Sequence, residues 1–246
     1  MFENKNVVIT GCNKGIGYKI LEIFAQSKAN IWACTRSHNE SFIIDCKKIA
    51  EKNSVEIHNV YFDLKDNTSV TSGAKLILSQ LKSVDVLINN AGSINTSLFL
   101  TSKIEDIIEL FQVNFFSQLT LTQLLAKKMI NKNRSSIINV SSIAGIDAAE
   151  GRLAYSSTKS SMMIATKILA KEFARYNIRV NAIAPGLTDT DLMNESHSKD
   201  VVDKELDRIF LKRIAQPDEI AQLVLFLASD KSSYINGQTI RIDGGI

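Results

Sequence analysis

The sequence predicts an α/β fold, a single-domain doubly wound parallel seven-stranded sheet with helices on both faces. Three observations point there. Short β-branched runs alternate with longer amphipathic stretches, no Pro- or Gly-rich linker interrupts them, and a glycine loop follows the first run directly. Strand–helix alternation needs crossover connections, which join parallel strands and bury both sheet faces. The chain has 246 residues, 45% of them hydrophobic, and two prolines, which suits one large core without a visible linker.

In chain order, residues 6–10 supply Val7, Val8 and Ile9 and end at Gly11. A helix over 16–26 follows, with apolar residues at helical spacing. The second strand, 30–34, holds Ile31 and Trp32 and leads to an amphipathic helix at 42–51. A third strand at 55–62 and a fourth at 84–88 enclose a helix at 69–81. The segment 104–129 reads as one long helix before a fifth strand at 136–140. A further helix at 154–175 precedes a sixth strand at 178–183. A helix at 218–228 and a strand at 239–242 complete the pattern.

A formal charge of +3, with Lys and Arg dispersed rather than gathered into a stripe, gives no reason to expect nucleic acid. No apolar run approaches the ~18 residues of a membrane span, so the expected location is the cytoplasm, without membrane association. Cys12, Cys34 and Cys46 form no Cys-x-x-Cys pair, and His38, His58 and His197 are scattered. Reduced structural thiols and no metal site are the expectation.

Doubly wound sheets bind ligands beyond the carboxyl ends of their strands, which directs attention to the loops there. After the first strand, Gly11, Asn13, Lys14, Gly15, Ile16 and Gly17 open a helix, where backbone N–H groups would meet a pyrophosphate. The loop lacks the Gly-Lys-Ser/Thr ending of a kinase-type phosphate loop. After the second strand stand Thr35 and Arg36 instead of a carboxylate that would repel a 2′-phosphate. With Lys14 as a second point charge, Arg36 favours NADP(H). Asp63, beside Leu64, suits either the adenine amino group or a helix N-cap.

Tyr155 and Lys159 are spaced i, i+4 on one helix face, with Ser142 upstream. A phenol has a pKa near ~10, so a neighbouring ammonium that favours the phenolate would fit it for proton transfer at neutral pH.

These motifs, with Asn89-Asn90-Ala91-Gly92, Pro185-Gly186 and Asp243-Gly244-Gly245, occur in the order found in the short-chain dehydrogenase/reductase family, which the whole chain resembles. The resemblance implies a Rossmann fold and hydride transfer between a nicotinamide and a carbonyl carbon. It makes Tyr155 the acid/base, Ser142 the hydrogen-bonding partner of the substrate oxygen, and Lys159 the ligand of the nicotinamide ribose. Asn114 completes a catalytic tetrad by distorting its helix. Asn89, Ala91 and Gly92 are implied to line the cofactor, with Pro185, Gly186, Thr188 and Thr190 on its nicotinamide side.

Residues 213–220 and 234–239 most resemble 3-oxoacyl-acyl-carrier-protein reductases, implying a 3-oxoacyl thioester substrate, a role in fatty-acid biosynthesis, an acyl-carrier partner and a homotetramer. The chain departs from that pattern before Tyr155, where only Gly151 of a Gly-Gln-x-Asn sequence is kept, and Arg134 and Arg175 lie beside the expected carrier-docking positions. Residues 187–211 correspond to a substrate lid, polar enough to read as a flexible loop. Arg152, close to Tyr155, raises the alternative of an anionic or polyhydroxylated ketone such as a sugar derivative. A noncatalytic cofactor-binding or assembly protein is the alternative of another class, and the intact Asn114, Ser142, Tyr155 and Lys159 argue against it.

Overall fold

The computed structural model describes residues 2–130, 134–196 and 199–246; His197 lies outside the described residues. Strands β1 (Asn6–Thr10), β2 (Asn30–Thr35), β3 (Ile57–Tyr61), β4 (Val86–Asn89), β5 (Ser135–Val140), β6 (Ile178–Pro185) and β7 (Thr239–Ile242) form one parallel sheet. Their order is β3-β2-β1-β4-β5-β6-β7, so the winding reverses between β1 and β4 and opens a crevice beyond their carboxyl ends. The intervening helices are α1 (Gly15–Gln26), α2 (Glu40–Asn53), α3 (Asn67–Gln80), α4 (Ile104–Phe111), α5 (Ser117–Met129), α6 (Leu153–Phe173), α7 (Asp191–Ser196), α8 (Lys199–Arg208) and α9 (Pro217–Ala228).

Strand side chains alternate between two buried layers, as the pleat requires. Val7 and Ile9 pack with Ile20 and Phe24 of α1, Phe42 of α2 and Val224 of α9, whereas Val8 packs with Ile77 of α3, Leu125 of α5 and Ala170 of α6. Both faces being covered explains why β1 and β4 read as nearly continuous apolar runs.

Several boundaries move for local reasons. Val55 closes the end of α2 by donating to Ala50 O, with Ser54 in the left-handed region (φ 55°), so β3 begins later than expected. β6 runs on to Pro185 because that residue pairs with Ile242 of β7. The long helix expected over 104–129 is interrupted by a π-turn at Gln112–Phe116. The lid contains two helices, α7 and α8, rather than a loop throughout; Val202, Leu206 and Ile209 recur at helical spacing within its polar sequence, and Ile209 is buried. Among the described residues, no helix is long and apolar enough to cross a membrane.

Candidate active site

The crevice between β1 and β4 widens into a cleft of about 950 Å³ lined by the loops that follow β1, β2, β3, β4, β5 and β6. At one end the β1–α1 loop turns beneath Ala91. Gly11 has φ +65°, and a Cβ there would lie 2.8 Å from Ala91 Cα; a Cβ on Gly17 would overlap the Gly11 carbonyl oxygen. Asn90 fastens this turn, donating through Nδ2 to the carbonyls of Thr10 (2.9 Å) and Gly11 (3.0 Å). Thr10 Oγ1 in turn accepts the N–H groups of Asn90 and Ala91, both at 3.0 Å. The first N–H groups of α1 are left without intrahelical partners beside this cradle, an arrangement suited to a dinucleotide pyrophosphate.

Gly11, Asn13, Lys14, Gly15, Ile16 and Gly17 all line the cleft, as do Arg36, Asp63, Leu64, Ala91, Gly92, Pro185, Gly186, Thr188 and Thr190. Arg36 is exposed immediately after β2, with Ser37 and Asn39 as polar neighbours on the cleft wall. The Lys14 ammonium stands 3.5 Å from Asp191 at the start of α7. Both side chains are more than half exposed, so this pair contributes at most about 1 kcal/mol.

Two expectations change. Asn89 does not reach the cleft. It is buried in the sheet, where Nδ2 donates to Asn139 Oδ1 (2.8 Å) on β5 and to Thr122 Oγ1 (2.9 Å) on α5. As the last residue of β4 it still follows the pleat, whereas Asn90, just beyond the strand, is free to turn toward the glycine loop. Nor is Asp63 a helix cap: its Oδ1 accepts from Lys65 N at 2.9 Å, and Asp66 caps α3 by accepting from Thr68 N at 2.8 Å.

At the other end, Ser142, Tyr155 and Lys159 converge. Ser142 caps a short 3-10 turn at Ile143–Gly145, its Oγ accepting from Ala144 N at 3.2 Å, and it hydrogen-bonds Tyr155. Lys159, 5% exposed, donates to Val140 O at 2.9 Å and lies 5.6 Å from the Tyr155 ring centroid. Burial lowers the ammonium pKa from 10.5 to about 8. Burial also raises the Tyr155 phenol, and the influences that pull it back are the Ser142 hydrogen bond and the charge of Arg152. Arg152 therefore joins Lys159 as a cation beside the phenol. Arg152 is 9% exposed, lines the cleft three residues before Tyr155, and is itself lowered by desolvation.

Asn114 stands behind the cleft, in the π-turn, and is 1% exposed. Its Oδ1 accepts from Ser93 N (2.8 Å), while Nδ2 donates to Ser93 O (2.8 Å) and Thr158 Oγ1 (3.2 Å). It therefore binds the loop after β4 to the helix that carries Tyr155 and Lys159. Asn90 and the ion pair of Asp147 with Arg241 escaped sequence reading; the second asparagine of Asn89-Asn90, just past the fourth strand, was the available signal for the first, and nothing local signalled the second. Cys12, Cys34 and Cys46 are free and buried. Among the described residues no three His, Cys, Asp or Glu side chains converge on a metal-sized site.

A family model described as Enoyl-(Acyl carrier protein) reductase matches residues 11–246. The chain belongs to the short-chain dehydrogenase/reductase family. It is an oxidoreductase acting between alcohol and carbonyl groups. It is 36% identical over 246 residues to a 3-oxoacyl-acyl-carrier-protein reductase of Thermotoga maritima, covering 99% of this chain and 98% of the relative. Its identity to the same enzyme of Aquifex aeolicus is 35% over 244 residues, with 99% and 98% covered. Among solved structures, a provisional NAD(P)-dependent gluconate 5-dehydrogenase from Beutenbergia cavernae, with bound NADP at low occupancy, superimposes with a TM-score of 0.92 at 27% identity, covering 98% and 96% of the two chains.

Proposed function

We propose that this short-chain reductase uses NADPH to reduce the carbonyl of a 3-oxoacyl thioester, carried by an acyl-carrier protein or CoA, to a hydroxyl. The observation that carries the reading is the convergence of Ser142, Tyr155 and Lys159 at one end of a cleft whose other end is a glycine cradle with Arg36 beside it. The full-length relatives named for 3-oxoacyl reduction support the substrate class.

The cradle fits the cofactor, because Gly11 and Gly17 leave no room for side chains where the loop must approach a pyrophosphate. Arg36 would hold the 2′-phosphate, and Pro185, Gly186, Thr188 and Thr190, which line the cleft, would border the nicotinamide. When bound, NADPH supplies the hydride to the carbonyl carbon. Ser142 Oγ and the Tyr155 hydroxyl, already bonded to one another, bracket the carbonyl oxygen, and Tyr155 gives it the proton. Lys159 and Arg152 offset the negative charge left on the phenol oxygen, and Lys159 would also hold the nicotinamide ribose. Asn114 keeps the loop after β4 and α6 in register.

A polar ketone bearing a negative charge is the second reading, and Arg152 favours it: a nearly buried guanidinium beside the proton donor suits a carboxylate better than a neutral chain. For either substrate the reaction is read as cytoplasmic and the enzyme as a homotetramer, with exposed Ile104 and Ile108 of α4 and Ile164 and Ile168 of α6 available to a second copy. The test is NADPH oxidation with acetoacetyl-CoA by the wild type and Tyr155→Phe. The variant should bind NADPH yet lose at least about 10²-fold in turnover. Near-wild-type turnover by Tyr155→Phe would refute the assignment of the proton donor.

A further inference from the structure

The loop that presents Ser142 is secured by a residue outside the cleft. Arg241, on β7, points both Nη atoms at the two carboxylate oxygens of Asp147, at 3.2 and 2.8 Å. Its Nε donates to Asp243 Oδ2 at 2.6 Å. One guanidinium thus joins two segments separated by 94 residues. Both matter to the cleft. Asp147 lines it, and its N–H donates to Ile143 O at 2.8 Å, so the carboxylate stands on the same turn that Ser142 caps. On the other side, Gly245 N donates to Asp243 Oδ1 at 3.1 Å. The carbonyls of Gly245 and Gly244 accept from Phe210 N (2.9 Å) and Leu211 N (3.1 Å), where the lid ends.

We propose that Arg241 is a positioning residue that clamps Asp147, and with it the Ser142 turn, against the segment anchoring the lid, so that the substrate wall is preformed. The proposal rests on the reading of this site as a carbonyl reductase. The clamp lies on the substrate side: Arg241 does not line the cleft, and none of its hydrogen bonds goes to the glycine cradle or to Arg36. A bidentate Arg–carboxylate pair fixes direction as well as distance, which a single ammonium cannot do. With the two side chains 33% and 42% exposed, solvent screens the pair and limits its effect.

The test uses Asp147→Asn, which leaves Arg241 bonded to Asp243, together with Arg241→Met, Arg241→Lys and the Asp147→Asn/Arg241→Met double variant. Each single variant, Arg241→Lys less than Arg241→Met, should raise KM for acetoacetyl-CoA by up to about five-fold, with kcat changing less and NADPH affinity within about two-fold of wild type. The double variant should be no worse than the poorer single, because both remove the same contact. Hydrogen exchange followed by mass spectrometry, on protein without substrate, should show faster exchange at residues 143–149 in each Met and Asn variant. Additive KM effects would mean that Asp147 acts on substrate independently of Arg241, and unchanged exchange would mean that no clamp exists; either result overturns the proposal. If the wild type turns over no carbonyl substrate, the reductase reading fails, while the exchange measurement still decides the clamp.

Discussion

Lys159→Met removes a cation that the fold keeps nearly dry, and its effects on stability and on catalysis should run in opposite directions. In the folded protein the ammonium pKa falls from 10.5 to about 8, because burial disfavours the charged form. That displacement corresponds to a cost of roughly 3 kcal/mol for holding the group charged at neutral pH. Methionine fills similar space without the charge but leaves the Val140 carbonyl, now 2.9 Å from Nζ, without its donor, a loss of about 1–3 kcal/mol. At pH 7 the variant should therefore be as stable as wild type or up to roughly 2 kcal/mol more so, while turnover falls by at least about 10²-fold.

The pH dependence is the sharper measurement. Between about 8 and 10.5 the unfolded chain holds the Lys159 proton that the folded chain has released, so wild-type stability rises with pH relative to the variant. Below pH 8 both states are protonated and the full cost remains. Urea denaturation of both proteins at intervals from pH 7 to 10 should show the wild type gaining roughly 2 kcal/mol on Lys159→Met across the upper half of that range. A flat difference would refute the reasoning, since it would mean that Lys159 does not change protonation on folding in this window.

Arg36→Glu should weaken NADPH by at least about 10-fold in KM while sparing NADH, because a carboxylate repels the 2′-phosphate and can accept from a free ribose; parallel kinetics with the two cofactors check this. Arg152→Leu removes a charge that lowers the Tyr155 pKa, so the phenol stays protonated to higher pH and the alkaline limb of the reduction profile moves upward. If the substrate is anionic, the same variant loses activity on an anionic ketone but not on a small neutral one. Asn90→Ala deprives the Thr10 and Gly11 carbonyls of their donor and should cost about 2 kcal/mol of stability together with NADPH affinity, read by thermal melting and cofactor titration.

Features fixed by a few neighbouring residues were legible in the sequence. The glycine cradle needs a strand, a turn and a helix start within residues 10–17, and Tyr155 and Lys159 share a helix face by spacing alone. The alternation of seven strands with amphipathic helices likewise determined the sheet and its two covered faces, because period-2 and period-3.6 burial are local patterns. What remained was decided by contacts between distant segments. One step past the end of β4 separates Asn89, held in the sheet by Asn139, from Asn90, which grips the glycine loop, and only the strand's actual terminus makes that distinction. The lid's two helices follow from a sparse apolar stripe that becomes decisive only when there is a core for Ile209 to enter. Arg241 and Asp147 lie too far apart in the chain for any pattern to pair them; the sheet brings them together because β7 ends beside the loop that follows β5 and carries Ser142.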